Sequence, residues 1–352
     1  MDEGKLKTAV IGLNEGGRLL LKAARELDYF EIEAVADKDT KLAGRIATEC
    51  ECASYDDYRQ LVVQNQLDCL LVAAGMHACE EHIRTAIKRK FNVLKLAPAA
   101  RNFEEAAEIV KLAEQQETKY AVANPYRFAP SFVAFREFLE QGGIEQVFLI
   151  TAFCNVGDSP LPAWQTDPKL AGGGVLLHNC YQIVDQIVCN YPMPQQVHAL
   201  NMNQASDKQQ RLYLAEDTAL LTMKFTDTLI GHVTAIRRSG LGPREEYLRI
   251  YGKDKVVTVS STELTISDGA GDTSKESVYE NDPLRNMTEL LENFARSIIL
   301  PDNNEFSGTG RQNLRNMAVI EAAYLSARTG FPEQPGRILQ MAPGSAGAAK
   351  DA

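Results

Sequence analysis

The first 124 residues carry short apolar runs that alternate with stretches of helical period. The apolar runs have the length of strands and fall within residues 7–13, 30–37, 67–74, 91–96 and 119–124. The helical patterns fall within residues 18–27, 41–49, 56–64, a stretch that ends near 87, and 103–115. Strands that alternate with helices of this length form a parallel sheet covered on both faces. The pattern predicts a doubly wound α/β domain over residues 1–123.

The pattern changes after residue 124, where strand-like runs follow one another directly. Helices are predicted over 130–140, from the glycines at 172–174 to about 189, and over 284–299 and 311–327. The strand-like runs are 144–153, 195–202, 218–225, 228–236, 246–252 and 256–260. Consecutive strands without intervening helices pair antiparallel. We therefore predict an α+β domain with a large open, mostly antiparallel sheet over 124–335, and a disordered tail over 336–352.

Composition agrees with a two-domain globular protein. The chain has 352 residues, of which 45% are hydrophobic and 24% charged, and single cores rarely exceed about 250 to 300 residues. A net charge of −10 argues against nucleic acid or an anionic membrane surface as the partner. The first ten residues lack the apolar core of a signal peptide, and no uncharged apolar run approaches 18 residues. We expect a cytoplasmic protein whose seven scattered cysteines are reduced thiols, with no metal site.

A glycine turn follows the first predicted strand and is the strongest chemical signal. The turn reads Gly12, Leu13, Asn14, Glu15, Gly16 and Gly17, and Asp37 ends the second strand twenty residues later. Gly12 permits a tight turn, Gly17 lets helix and strand pack closely, and the helix N-terminus attracts a pyrophosphate. Asn14 replaces the second glycine, but asparagine tolerates a positive φ better than most residues. Asp37 accepts ribose hydroxyls and repels a 2′-phosphate, so we expect NAD rather than NADP, a preference softened by Lys38.

The order of elements resembles the glucose-fructose oxidoreductase and inositol dehydrogenase (Gfo/Idh/MocA) family. The segments that carry the resemblance are AVIGLNEGG, LDCLLVAAG, FNVLKLAPAA, NPYRFAPSF, AGGGVLLHNCYQIVDQIV, EDTALLTMKF and IEAAYLSARTG, between about residues 7 and 332. The resemblance implies a Rossmann domain, a second domain with a large open sheet, and nicotinamide-dependent oxidation or reduction of a sugar, cyclitol or related polyol. It also implies a homodimer or homotetramer that buries the exposed sheet face.

Two departures from the family concern its chemistry. Aligned on Val93 and Pro98, the chain has Leu96 and Ala97 where the family's E-K-P motif has a glutamate and the lysine that helps to hold the substrate. The family often continues its triple glycine as G-G-G-x-L-x-D-x-x-x-H-x-x-D. The corresponding residues here are His178, Gln182 and Asp185, so only the last acid matches.

The remaining polar residues define candidate sites. In a continuous helix His178, Gln182 and Asp185 share one face, with Tyr181 at its edge, and His178 is a candidate proton acceptor that Asp185 orients. The alternative is a packed helix face with a hydrogen-bonded histidine. Lys95 points to the same side as Ala97 and is either a partial substitute for the missing amine or a solvated or cofactor-edge lysine. The candidate catalytic residues are His178, Tyr181, Gln182 and Lys95. The candidate cofactor-binding residues are Gly12, Leu13, Asn14, Glu15, Gly16, Gly17, Asp37, Lys38, Ala73, Ala74, Lys95, Arg127 and Trp164, the last of which is equally well interpreted as a loop anchor.

Two functions fit these residues. The first is an NAD-dependent oxidoreductase that acts on CH–OH groups with a rearranged active site. The second is a catalytically silent NAD(H)-binding protein that serves as a sensor, scaffold or partner subunit. The glycine turn and Asp37 support both functions equally. Ala97 and Gln182 favour the second, whereas the retained titratable groups favour the first.

Overall fold

The structure, a computed structural model, describes residues 4–157, 162–203, 214–237, 242–268, 273–302 and 304–342. It divides into two compact units. The first unit comprises residues 4–100, 105–125 and 282–313, and the second comprises 101–104, 126–281 and 314–342, within the described ranges. The predicted second domain, 124–335, includes residues 282–313, whereas these residues pack with the first unit in the structure.

The first unit contains one parallel sheet of six strands. The strands are β1 (Leu6–Ile11), β2 (Phe30–Ala36), β3 (Ala53–Tyr55), β4 (Cys69–Val72), β5 (Asn92–Leu96) and β6 (Tyr120–Ala123). The helices between them are α1 (Glu15–Arg25), α2 (Thr40–Cys50), α3 (Tyr58–Gln64), α4 (Met76–Lys88) and α5 (Phe103–Gln115). The strand order is β3-β2-β1-β4-β5-β6, which confirms the doubly wound topology. The order reverses between β1 and β4, where such folds bind ligands at the carboxyl ends of the strands.

The helix starts in the first unit follow from local polar residues. Asp39 caps α2 by accepting from the N–H groups of Lys41 and Leu42, each at 3.1 Å, and Asp57 caps α3. These caps satisfy amide groups that have no partner within the helix. The strand β3 was not predicted because its three residues, ASY, carry no run of apolar side chains.

The second unit is built on one open sheet of eight strands. The strands are β7 (Leu149–Asn155), β8 (Gln196–Met202), β9 (Thr218–Lys224), β10 (Ile230–Ile236), β11 (Glu245–Tyr251), β12 (Lys255–Val259), β13 (Glu263–Asp268) and β14 (Thr273–Val278). Their order is β14-β13-β12-β11-β7-β10-β9-β8. All neighbours pair antiparallel except β7 and β10, which are parallel, so the predicted mostly antiparallel sheet is confirmed.

The helices of the second unit cover one face of this sheet. They include α6 (Pro130–Glu140), α7 (Pro168–Ala171), α8 (Val175–His178) and α9 (Tyr181–Asn190). Strand residues alternate between a buried face, such as Ala219, Leu221 and Met223 on β9, and a face that no described helix covers. On β8 to β10 the uncovered face exposes apolar side chains, namely Leu200, Met202, Leu220 and Ile230.

Three helices close the chain. They are α10 (Pro283–Ile299), which packs against α1 in the first unit, α11 (Gly310–Thr329) and α12 (Pro335–Gln340). Asp282 caps α10 through the N–H groups of Leu284 at 3.0 Å and Arg285 at 3.1 Å. The prediction of a disordered tail from residue 336 is wrong for α12, whose Ile338 is buried, and residues 343–352 lie outside the described part.

Candidate cofactor and substrate sites

The glycine turn between β1 and α1 has the shape of a cradle that side chains would fill. Gly12 has a φ of +83°, and a Cβ there would lie 2.6 Å from the backbone nitrogen of Ala74. A Cβ on Gly17 would collide with the carbonyl oxygen of Gly12. Only glycine fits both positions. The turn therefore brings the start of α1, with its partial positive charge, to the end of β1 at the reversal of strand order.

Asn14 takes a different role from the one predicted. Its φ is −59°, so the position does not require the positive φ that asparagine tolerates. Its Oδ1 accepts from the N–H of Gly17 at 2.9 Å, and its Nδ2 donates to the carbonyl of Ala73 at 3.0 Å. Asn14 thus caps α1 and ties the turn to the end of β4, where Ala73 and Ala74 are buried.

Asp37 lies half-buried at the end of β2 and braces the same turn. Its Oδ2 accepts from the N–H of Leu13 at 2.6 Å and its Oδ1 from the N–H of Asp39 at 2.9 Å. Each carboxylate oxygen can accept more than one hydrogen bond, so Asp37 retains acceptor capacity for a ribose hydroxyl. Glu15 and Lys38 lie exposed nearby in the sequence, and Gly16 packs beside Leu96. A glycine cradle, a helix start and an acid at the end of β2 fit a dinucleotide.

Lys95 is buried and holds its own turn together. Its side chain is 3% exposed, and its Nζ donates to the carbonyls of Leu96 at 2.8 Å and Pro98 at 3.0 Å. Burial lowers its pKa. The interpretation as a solvated lysine is wrong. Two of the three N–H donors of its ammonium group are engaged by backbone carbonyls, which holds the amine in the turn that follows β5.

The helix after the triple glycine is interrupted at Asn179 and Cys180, contrary to the single helix predicted. The carbonyl of Val175 accepts from Asn179 N–H at 3.0 Å and from Cys180 N–H at 3.1 Å, which widens the turn by one residue. His178 therefore ends α8, whereas Gln182 and Asp185 belong to α9. Their spacing in the sequence does not place them on one helical face.

His178 is held by contacts of its own. Its Nε2 lies 3.0 Å from the carbonyl oxygen of Ala171, so in the neutral ring Nε2 carries the proton and Nδ1 is the acceptor. Trp164 packs edge-on against the imidazole, with 5.5 Å between ring centroids and an interplanar angle of 80°. Trp164, half-buried, thus anchors its loop at the candidate histidine.

A buried carboxylate that the sequence did not single out fixes the start of α8. Glu216 accepts from the N–H groups of Gly174 at 2.7 Å and Leu176 at 3.1 Å and from the hydroxyl of Tyr324 at 2.9 Å. Burial raises its pKa, against these hydrogen bonds. Side chains at Gly173 or Gly174 would collide with Tyr324 or Glu216, which explains the triple glycine.

Arg127 and Asp185 form a buried ion pair. Arg127 donates Nε to Oδ2 of Asp185 at 2.8 Å and Nη2 to Oδ1 at 2.6 Å, and Asn316 adds a bond to Oδ1 at 2.7 Å. The expectation that Asp185 orients His178 is therefore wrong, because this carboxylate binds Arg127 and Asn316. The guanidinium of Arg127 is buried, and its bonds to Asp185 stabilise the second unit.

A second polar group, also missed from the sequence, surrounds Gln182. Its Oε1 accepts from the backbone N–H of Tyr126 at 3.2 Å, and the Tyr126 hydroxyl donates to Oε2 of Glu246 at 2.7 Å. Tyr181, the neighbouring candidate, is 1% exposed and packs in the core. Tyr126 adjoins Arg127 in the segment NPYRFAPSF. Glu246 lies 120 residues away, and no local sequence pattern links Tyr126 with Glu246.

Known protein families match this architecture over most of the chain. The model of the Gfo/Idh/MocA oxidoreductase family, NAD-binding Rossmann fold, matches residues 6–124, and that of its C-terminal alpha/beta domain matches residues 136–332. The chain belongs to the Gfo/Idh/MocA oxidoreductase family. Its first unit is an NAD-binding Rossmann fold, and the glycine cradle at Gly12 and Gly17 fits that cofactor.

Individual relatives agree with the family. An uncharacterized oxidoreductase of Synechocystis is 25% identical over 273 residues, covering 74% of this chain and 72% of the relative. An Agrobacterium radiobacter oxidoreductase in complex with NAD+, L-tartaric acid and magnesium superposes with a TM-score of 0.81 at 18% identity, covering 95% of this chain and all (100%) of that one. Levoglucosan dehydrogenase with NADH and levoglucosan gives a TM-score of 0.83 at 16% identity, covering 94% and 99%. These structures share the fold.

Two further properties concern only the part of the chain that the structure describes. No helix there is long and apolar enough to cross a membrane. No group of three or more histidine, cysteine or acidic side chains there is placed to hold a metal ion. No disulfide bond joins any of the seven cysteines.

Proposed function

We propose that this NAD-binding oxidoreductase oxidises a hydroxyl group of a sugar, cyclitol or related polyol, or reduces the corresponding ketone, in a rearranged active site. Two structural neighbours are named with ligands of this chemical class, levoglucosan and L-tartaric acid. When bound, NAD+ accepts a hydride from the carbon that bears the reacting hydroxyl group. The first unit binds the cofactor through the glycine turn and Asp37, and residues of the second unit bind the substrate.

The observation that carries the proposal is the fixed position of His178. The buried Glu216 holds the first turn of α8, and Ala171 and Trp164 hold the imidazole itself. An imidazole fixed in this way is preorganised to hydrogen-bond a substrate oxygen, because little side-chain conformational entropy remains to be lost on binding. In this proposal His178 and Gln182 bind substrate oxygens, and the pair of Arg127 and Asp185 stabilises the second unit that carries them. Lys95 supports its own turn in the first unit through the carbonyls of Leu96 and Pro98.

The test is turnover on a panel of sugars, cyclitols, hydroxy acids and their ketones, measured by NADH absorbance. With an accepted substrate, His178→Asn should lower kcat/KM by about 100-fold or more, since one positioned group typically contributes that much. The control is His198→Asn, which changes a histidine on the uncovered face of the sheet. Equal activity of wild type and His178→Asn would refute the assignment of His178.

The second candidate function is a silent NAD(H)-binding protein. The observation that favours it is Ala97, together with the engagement of the buried Lys95 by the carbonyls of Leu96 and Pro98. This candidate predicts that NAD(H) binds, that the panel gives no turnover, and that Ala97→Lys combined with Gln182→His creates measurable activity. Turnover by the wild-type chain would refute it.

We further propose that the protein is a homodimer or homotetramer through the uncovered sheet face. The exposed apolar side chains Leu200, Met202, Leu220 and Ile230 lie on three adjacent strands of that face. An apolar patch of this kind is typical of a surface that a partner buries. We also propose a cytoplasmic location, supported by seven cysteines that form no disulfide bond. The acidic net charge argues against nucleic acid or an anionic membrane surface as the main partner.

A further inference from the structure

Glu246, near the start of β11, is a buried carboxyl group to which no role has yet been given. Its side chain is 8% exposed. Its Oε2 accepts from the Tyr126 hydroxyl at 2.7 Å and from Nη2 of Arg244 at 3.4 Å. Its Oε1 is buried and has no hydrogen-bond partner within the described part of the chain. One oxygen of this carboxylate is therefore bonded and the other is not.

The surroundings of Glu246 favour the uptake of a proton. Burial raises its pKa, and the Tyr126 hydroxyl and the charge of Arg244 oppose the rise. The Arg244 side chain is 67% exposed, so water screens its charge. The thiols of Cys154 and Cys180 also lie nearby and are buried. A carboxylate with one bare, buried oxygen is a stronger base than an exposed one.

Tyr126 connects Glu246 with the substrate-binding residues of the proposed function. Its backbone N–H donates to Gln182, and its ring stacks on Phe132 with 4.9 Å between centroids. The residue is half-buried, so the tyrosine reaches the surface while the carboxyl group behind it does not. Because the phenol proton points at Glu246, the phenol oxygen can still accept a hydrogen bond from a substrate hydroxyl.

The sheet register places Glu246 at the same end of the second unit as the break between α8 and α9. Glu246 pairs with Cys154 on β7, and the Cys154 Sγ donates to the carbonyl of Asn179 at 3.8 Å. Asn179 directly follows His178. Cys154, the strand residue opposite Glu246, therefore links β7 to the backbone next to His178.

We propose that Tyr126 and Glu246 form the proton-accepting pair for the substrate hydroxyl, an inference that rests on the proposed function. The hydroxyl proton moves to the Tyr126 Oη while the phenol's own proton moves to Oε2 of Glu246. The O–H and C–H bonds of the substrate break, a C=O bond forms, and the electron pair of the C–H bond leaves with its hydrogen to the oxidant, NAD+. Tyr126 stays neutral throughout, and Glu246 becomes a carboxylic acid.

This assignment replaces His178 as the proton acceptor. The Nε2 of His178 is bonded to Ala171, and Asp185, the acid expected to orient the imidazole, is bonded to Arg127. Tyr126 and Glu246 have the arrangement of a proton-transferring group and the base behind it. His178 remains a ligand of the substrate oxygen.

The first experiment needs no turnover. The infrared difference spectrum between the wild-type protein and Glu246→Gln identifies the carbonyl stretch of protonated Glu246. The intensity of this band is then followed as a function of pH. We expect the group to titrate above the ordinary range of a glutamate, and higher still in Tyr126→Phe, because the hydroxyl bond lowers its pKa. The matched control Tyr247→Phe changes a tyrosine on the other face of β11 and should leave the titration unchanged.

The second experiment measures turnover and its pH dependence on an accepted substrate. In Glu246→Gln the amide oxygen still accepts the hydrogen bond from Tyr126, but the amide does not act as a base. If Glu246 has only a structural role, this variant should therefore keep normal activity. The proton-accepting role predicts that Glu246→Gln and Tyr126→Phe each lower kcat at least about 100-fold. It also predicts that the acid limb of the pH profile persists in His178→Asn and disappears in Glu246→Gln. Glu245→Gln, an exposed neighbour, is the control.

Three results would overturn the assignment. They are an ordinary Glu246 titration, a titration indifferent to Tyr126→Phe, or a wild-type kcat and pH profile in Glu246→Gln. If NAD binds but no member of the panel reacts, the proposed function fails, and the infrared titration alone decides whether the pair accepts a proton. Thermal unfolding of each variant shows that a loss of activity is not a loss of fold.

Discussion

The buried pair of Arg127 and Asp185 gives a prediction whose size follows from its geometry. The guanidinium donates twice to the carboxylate, at 2.8 and 2.6 Å, and the two side chains are 6% and 0% exposed. Arg127→Met removes both donors and leaves the carboxylate buried with the amide of Asn316 as its remaining partner, at 2.7 Å. Breaking such a pair from one side costs about 3–5 kcal/mol, since the surviving charge is left without compensation.

The same reasoning predicts strong coupling between the two positions. Arg127→Met with Asp185→Leu removes both charges, so the free energy of unfolding should fall by clearly less than the sum of the two single losses. The assay is urea unfolding followed by the fluorescence of Trp164, the only tryptophan of the chain, which lies in the second unit with the pair. Arg328→Met removes an exposed contact with Glu321 at 3.8 Å and should cost below about 1 kcal/mol.

Two outcomes would refute this account of Arg127. One is a loss below about 1 kcal/mol in Arg127→Met, the value typical of an exposed pair. The other is a double variant whose loss equals the sum of the single losses, which would mean that the residues act independently.

Three further predictions test the cofactor site, the assembly and the response to pH. Asp37→Ala should weaken NAD(H) binding by about 1–3 kcal/mol in calorimetry, and NADP(H) binding by less, because the ribose acceptors and the hydrogen bond to the Leu13 N–H are lost together. An unchanged NAD(H) affinity would contradict this. Leu200→Glu should convert the oligomer to a monomer in light scattering while Val63→Glu does not, and a monomeric wild type would refute the interface. Burial lowers the pKa of His82, so the folded chain binds its proton less readily than the unfolded chain, and stability is lost as pH falls through the folded pKa. The urea midpoint should therefore drop more between about pH 7.5 and about pH 5 in wild type than in His82→Gln, and equal drops would count against it.

Local sequence was sufficient for the architecture of both units. Alternation of buried strands with amphipathic helices determines a parallel sheet, and glycines at 12 and 17 occupy positions where the backbone leaves no room for a Cβ. These signals are local, because hydrophobic period and turn geometry depend on residues a few positions apart. The strands β13 and β14 were missed because they carry few apolar side chains, and β14 lies at the edge of the sheet.

Only the tertiary structure decided which polar side chains meet. The spacing of His178, Gln182 and Asp185 predicted one helical face, but a widened turn at Cys180 separates the first from the other two. Asp185 binds Arg127, 58 residues away, and Tyr126 binds Glu246, 120 residues away. A buried charge needs a partner wherever the chain brings one, so packing chooses among all the polar groups of a unit. The periodicity of apolar residues along the sequence therefore determined the fold class of both units. Pairing between residues distant in the sequence determined which polar side chains are left to contact a substrate.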